Sequence, residues 1–252
     1  MARKNIYQEM QPIEVYIRVA IGELKKFPNN YLDKQRIKEI LRHIVLKVYN
    51  FNREQALKLN HDFFSEHYMG GFRKFFDFGE SEIIIYSFPE WDIKYWEFNK
   101  VPPKFWEDKQ NQKEFVEWIA KKENLDITTK EGLKKLTAPI IMKHGGSKAL
   151  TYAGGEFELL NSVANGQYMK WEIIKMTAWK RQDIIEATKW LIEEKLQLTP
   201  EQVCKISVAD FAKYNLDGML QKGCKHSILG ALELAYPGKY YRTKARGIML
   251  KE

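Results

Sequence analysis

Pro28-Asn29-Asn30-Tyr31-Leu32-Asp33-Lys34-Gln35 and Pro103-Lys104-Phe105-Trp106-Glu107-Asp108-Lys109-Gln110 follow one pattern, P-x-x-(aromatic)-x-D-K-Q, at an offset of 75 residues. A degenerate third copy keeps Trp179 and Gln182 within Thr177-Ala178-Trp179-Lys180-Arg181-Gln182. A pattern that returns at a long, nearly fixed interval is the signature of an internal repeat, and it sets the frame for what lies on either side.

Downstream of each copy the apolar residues recur at three- and four-residue steps: Ile37, Ile40, Leu41, Ile44, Val45 and Val48; then Phe115, Trp118 and Ile119; then Ile184, Ile185, Thr188 and Leu191, with Trp190 alongside. That spacing predicts amphipathic helices. A second helix start follows in each stretch, at Asn52-Arg53-Glu54-Gln55, Thr128-Thr129-Lys130-Glu131 and Thr199-Pro200-Glu201-Gln202. Thr128 with Glu131, and Thr199 with Gln202, have the spacing of a capping box. Asn60, Thr137 and Ser207 are placed to cap a third helix, which closes on Gly70-Gly71, Gly145-Gly146 or Gly218. A last helix runs from Ser81 to Phe88, Glu156 to Val163 and Ser227 to Tyr236, stopped by Pro89 in the first stretch and by Pro237-Gly238 in the third. Ser81–Tyr86 is rich in β-branched residues and favours a strand by propensity. The repeat argues for helix, and helix is the expectation.

The fold expected is therefore all-α, with three tandem helical repeats of about 70–77 residues. Residues 1–24 form an N-terminal capping helix, 25–100 the first repeat, 101–175 the second, and 176–252 the third with a basic C-terminal tail. Trp91, Trp96, Trp106, Trp118, Trp171, Trp179 and Trp190 cluster at the junctions, where burying large aromatics stabilises a repeat array.

With 44% hydrophobic and 13% aromatic residues, the 252-residue chain has ample material for a core and is not of a disordered class. No apolar run approaches a membrane span, and the N-terminus leads into no apolar signal core. Two cysteines, Cys204 and Cys224, fit a reducing compartment, so an intracellular location (cytoplasm or nucleoid, or an organelle in a plant) is expected. The net charge of +8 is unevenly spread: residues 1–60 carry +6, 61–135 carry −3, 136–212 balance, and 213–252 carry +5. Basic ends around a neutral middle suit a polyanionic partner.

Phe211, Leu216, Gly218, Met219, Leu220, Ser227, Ala231, Leu232, Ala235, Tyr236 and Pro237 spell F-x-x-x-x-L-x-G-M-L…S-x-x-x-A-L-x-x-A-Y-P, and Trp96 to Asp108 spell W-E-F-x-x-V-P-P-x-F-W-x-D. Together they resemble a helical repeat module and its linker found in poorly characterised proteins of low-GC Gram-positive bacteria, their phages and plants. The resemblance covers about residues 55–240 and implies no activity. The middle stretch departs from it, with Asn165-Gly166 in place of Tyr-Pro.

The third stretch is the most suggestive for binding. Asp210 to Leu220 reads as one helix, Gln221 to His226 as a polar turn, and Ser227 as the cap of the next helix, the layout of a helix-turn-helix. Lys222, Lys225, His226 and Ser227 sit at the second helix's start, where a phosphate is bound readily. The connection is longer than the tight turn of that motif. Lys239-Tyr240-Tyr241-Arg242-Thr243-Lys244-Ala245-Arg246 interleaves cations for phosphates with tyrosines that can stack on bases. Lys25, Lys26, Lys34, Arg36, Lys38 and Arg42 make a comparable basic face near the other end.

No metal-ligand spacing, nucleotide-binding glycine loop or catalytic triad is present, so no cofactor and no metal is expected. The acid-rich Asp62, Glu66, Asp77, Glu80 and Glu82 offer a magnesium-dependent nuclease as the weakest reading. The reading favoured is a non-catalytic nucleic-acid-binding protein, a regulator or accessory factor, with duplex DNA ahead of RNA. It binds through Lys222, Lys225, His226, Ser227, Lys239, Tyr241, Arg242, Lys244 and Arg246, and through Lys34, Arg36, Lys38 and Arg42. A protein-interaction scaffold with an acidic partner is the competing class.

Overall fold

A computed structural model describes residues 6–243 and 247–251, almost all in helices and the turns between them. The chain divides into two compact units, Met1–Phe105 and Trp106–Glu252.

In the first unit a 3₁₀ turn (Ile6–Glu9) precedes α1 (Pro12–Ala20), α2 (Lys34–His43), α3 (Arg53–Ala56), α4 (His61–Glu66) and α5 (Glu80–Ser87). The expected capping helix over 1–24 is thus a nine-residue helix, over before Gly22 turns left-handed (φ 81°). Asp33 starts α2, its carboxylate accepting from the Arg36 amide at 2.8 Å. Such a cap contributes about 1 kcal/mol. The apolar face of α2 (Ile37, Ile40, Leu41) is fully buried against α1 and α5, within a core that includes Phe64, Phe72, Ile83, Ile84 and Phe88. The β-branched run Ile83–Ile85 is helical: the flanking turns and the burial of Ile83 and Ile84 override strand propensity.

The second unit holds α6 (Lys109–Lys122), α7 (Lys130–Lys135), α8 (Ala138–Lys143), α9 (Ser147–Ala153), α10 (Glu156–Val163), α11 (Lys170–Ile173), α12 (Arg181–Lys189), α13 (Pro200–Val203), α14 (Val208–Lys213) and α15 (Ile228–Ala235), followed by β1 (Tyr240–Arg242) and β2 (Ile248–Leu250). Helix α6 packs on α10, and α12 packs on α15. The α12–α15 core gathers Leu191, Phe211, Leu216, Met219, Ala231 and Leu232.

Local structure recurs with the sequence landmarks. Gln35, Gln110 and Gln182 each donate to a glutamate one turn on (Glu39, Glu114, Glu186) at 3.0, 2.9 and 2.7 Å. Asn52, Thr129 and Thr199 cap the short second helices. The middle cap is Thr129, one residue later than expected, because the Thr128 hydroxyl donates to Asp126 at 2.6 Å instead. Arg53 at the head of α3 donates to both Glu97 oxygens at 2.6 Å, and Lys130 at the head of α7 reaches Glu172 at 3.0 Å. In the third stretch the corresponding helix starts with Pro200, and no Trp-Glu pair follows.

Three further expectations need correction. The third helices do not close on the glycines expected in every stretch: the left-handed residues after them are Tyr68 (φ 60°), Gly145 (φ 82°) and Asn215 (φ 61°). Asp210–Leu220 is not one helix. Helix α14 ends at Lys213, Asn215 turns left-handed, and a wide π-type turn, Met219–Gly223, follows. The basic C-terminus is not a tail over its described residues: Tyr240–Arg242 pairs antiparallel with Ile248–Leu250, Tyr241 facing Met249 across the ladder. Tyr240, buried on α15 and in edge contact with Tyr236 at 6.0 Å, anchors the ribbon.

Candidate nucleic-acid interface

The Ser227 turn is built by two non-glycine residues in succession with left-handed backbone, Lys225 (φ 50°) and His226 (φ 62°). The Cys224 carbonyl accepts from the Ser227 amide at 2.9 Å, and the His226 amide reaches back to the Leu220 carbonyl at 2.7 Å. Ser227 Oγ then accepts from the Gly230 amide at 3.0 Å and starts α15. At the matching bend before α10 the chain uses Gly154 and Gly155, which carry no such penalty. The third stretch therefore bears a backbone strain of order 1–2 kcal/mol per residue, and both side chains stand exposed.

Lys225, His226, Ser227 and Arg242 line one shallow depression, with Leu229, Gly230 and Glu233 as its floor and far wall. Arg242 reaches it from β1, the strand held on α15 by Tyr240. Among the described residues Lys225 and Arg242 make no ion pair, so both cations are available to a ligand. Glu233 is the opposing charge, and its carboxylate is occupied by the Gly238 amide at 3.0 Å.

Other predicted residues lie elsewhere. Lys222 lines a separate cavity beside Trp171 and Trp179. Lys239 lies over the rings of Tyr236 and Tyr240, at 5.6 and 6.0 Å. Burial and a 2.8 Å hydrogen bond to Glu193 push the Tyr236 hydroxyl far above its usual titration range. Tyr241 alternates to the strand face opposite Arg242, next to exposed Met249. Lys244 and Arg246 lie outside the described residues.

The first unit's basic face is largely spent on its own fold. Arg36 donates to the carbonyls of Tyr31 and Gln8. Arg42 donates to the Ser87 carbonyl and to Glu90, at 2.8 and 2.6 Å. Lys34 pairs with Glu82 at 3.7 Å and lies over Phe76. Lys38 lies over Tyr86.

Helix α15 reads Ile-Leu-Gly-Ala-Leu-Glu-Leu-Ala, and Glu233 is its one charged side chain. A helix with that surface has no donors for base edges, so it lacks the side chains of a recognition helix, and the exposed basic side chains lie on the turn before it. Sequence reasoning overlooked Glu233 and the strain at Lys225–His226. Aligning the bend with Gly154-Gly155 is the signal that exposes the latter.

Two of the first unit's acidic residues are engaged: Glu80 with His61 at 3.2 Å and Arg73 at 3.4 Å, Glu82 with the Phe78 amide at 2.9 Å. Among the described residues no three His, Cys, Asp or Glu side chains converge to hold a metal ion. No helix is long and apolar enough to cross a membrane, again among the described residues.

Residues 13–93, from α1 to the turn after α5, match a family described as a protein of unknown function (DUF4046). The match covers under half of the chain and overlaps the repeat resemblance only from about residue 55. No curated protein and no solved structure matches the chain.

Proposed function

We propose that the chain binds nucleic acid through the Ser227 turn and the adjoining ribbon, with Lys225, His226 and Arg242 holding phosphates and Ser227 fixing the turn. The observation that carries this reading is the Lys225–His226 pair: two exposed side chains, a cation and an imidazole, kept where glycine is the unstrained choice, beside Arg242, a second cation that makes no ion pair among the described residues. The surface is shallow, and Tyr241, the aromatic beside Arg242, is turned away from it. That favours the backbone of a duplex over stacked single-stranded bases. A helical-repeat array whose third stretch presents such a surface would make the chain a sequence-independent accessory factor for duplex DNA.

The test is fluorescence anisotropy with duplex DNA, single-stranded DNA and RNA. Duplex DNA should bind tightest, and with two phosphates neutralised by Lys225 and Arg242 its affinity should fall about 12-fold between roughly 50 and 200 mM salt. Lys225→Ala and Arg242→Ala should each lower the affinity and reduce the salt slope by about 1. An unchanged affinity and slope in the double variant would remove the site.

A further inference from the structure

The first unit contains a cavity of about 610 Å³ between the segment after α1 and the chain that follows α4. Apolar and aromatic side chains share its walls with polar Asn29, Asn30 and Ser65; Phe27, Leu32 and Phe75 are half-buried and Tyr68 is exposed. Phe27 is held by a ring contact with fully buried Phe72 at 5.7 Å. Lys25, Lys26 and Lys74 ring the same space. Among the described residues none of the three makes an ion pair, and no carboxylate lines the cavity. Three uncompensated ammonium groups at one opening favour a ligand carrying more than one negative charge. The rings of Phe27, Tyr68 and Phe75 in the lining suit a planar ring, and the volume lies in the range of small-molecule sites, far above what a bare phosphate fills.

Tyr68 sharpens the case. Its backbone is left-handed (φ 60°) at the position where the other two stretches have Gly145 and Asn215. A bulky side chain held there costs stability, and it stands at the mouth of the cavity. Gly71 also lines the cavity, and a Cβ built on it meets nothing within 4 Å.

We propose that this cavity binds a nucleoside monophosphate, with Lys25, Lys26 and Lys74 on the phosphate and Phe27, Tyr68 and Phe75 around the base. The residues of this site belong to the first unit and those of the duplex surface to the second.

Calorimetric titration of the intact chain with the nucleoside 5′-monophosphates, inorganic phosphate and free nucleosides tests it. At least one monophosphate should bind, with inorganic phosphate and nucleosides at least about tenfold weaker. Lys26→Ala/Lys74→Ala should weaken binding at least about tenfold. Gly71→Val should block the cavity without lowering Tm. Tyr68→Gly should weaken binding while Tm holds or rises, an outcome that a purely structural tyrosine would not give. Absence of binding by every monophosphate at about 10 mM, or inorganic phosphate binding as tightly as the nucleotides, overturns the proposal. So does undiminished binding in the lysine double variant. Duplex binding by the same variants is read separately and reports on the Ser227 surface alone.

Discussion

Single residues in the left-handed region mark where this chain departs from the cheapest local solution. Asn50, Asn124 and Asn215 occupy such positions with a side chain that tolerates them, while Tyr68 and Lys225 do so at a greater cost, and His226 adds a second such residue beside Lys225. Replacing Lys225 and His226 by glycine should therefore raise stability by about 1 kcal/mol, measured by urea unfolding, while duplex binding is lost. A fall in stability would mean that these side chains serve the fold. His67 gives a second prediction. It packs against Phe63 at 4.5 Å and Tyr49 at 5.2 Å, and its ring nitrogen lies 2.9 Å from the Tyr49 hydroxyl. Burial holds its imidazole below the usual value of 6.5. The unfolded chain then takes up this proton at a higher pH than the folded one, so the contribution is complete above pH 6.5 and is lost on acidification through the folded pKa. Tm should fall more steeply between about pH 7 and pH 5 in the parent than in His67→Phe.

At the scale of elements, the Trp-Glu segments are clamps. Glu97 takes the Arg53 guanidinium and the Lys94 amide, and Glu172 takes Lys130 and the Met169 amide, which ties each short helix to a segment more than 40 residues away. Arg53→Ala leaves a largely buried carboxylate without its charged partner and should cost about 2 kcal/mol, read from denaturant midpoints. Gly132 in α7 is a sharper case: a Cβ there would lie 1.7 Å from the Asp126 carbonyl oxygen. Gly132→Ala should destabilise the second unit by about 3 kcal/mol or more. These elements also show what the sequence makes legible. The last helices, expected to start at Ser81, Glu156 and Ser227, are found at 80–87, 156–163 and 228–235, because capping and periodicity act locally. The break in Asp210–Leu220 was not legible, since Phe211, Leu216, Met219 and Leu220 are all buried and their spacing fits a continuous helix as well as a broken one. Nor was the ribbon: Lys239–Arg246 reads as a charged tail until Tyr240 is seen buried on α15. At the candidate site, the sequence located Lys225, His226, Ser227 and Arg242 but could not separate them from Arg36 and Arg42, whose guanidinium groups are committed to internal carbonyls and carboxylates.

For the whole molecule, a charge of +8 is less decisive than how many cations are left unpaired. The two compact units make a direct prediction: because the first has its own core around Phe64, Phe72 and Phe88, residues 1–105 expressed alone should give a helical circular-dichroism spectrum and one cooperative melt. A random-coil spectrum would show that this core needs the rest of the chain. Chain length carries a last consequence. From helix cap to left-handed exit the three leading helices run from Asp33 to Asn50, Asp108 to Asn124, and Lys180 to Gln197; the outer two end in wide π-type turns, Ile44–Val48 and Trp190–Lys195, and the middle one does not. Accordingly the closing amide reaches six residues back in the outer two (Phe51 to Val45, Leu198 to Ile192) and five in the middle one (Leu125 to Ala120). The outer helices each carry a spare residue, so excising exposed Val48 should shorten the chain to the pitch of its middle counterpart and leave a folded, soluble protein, where the same excision inside α6 would throw a whole buried face out of register.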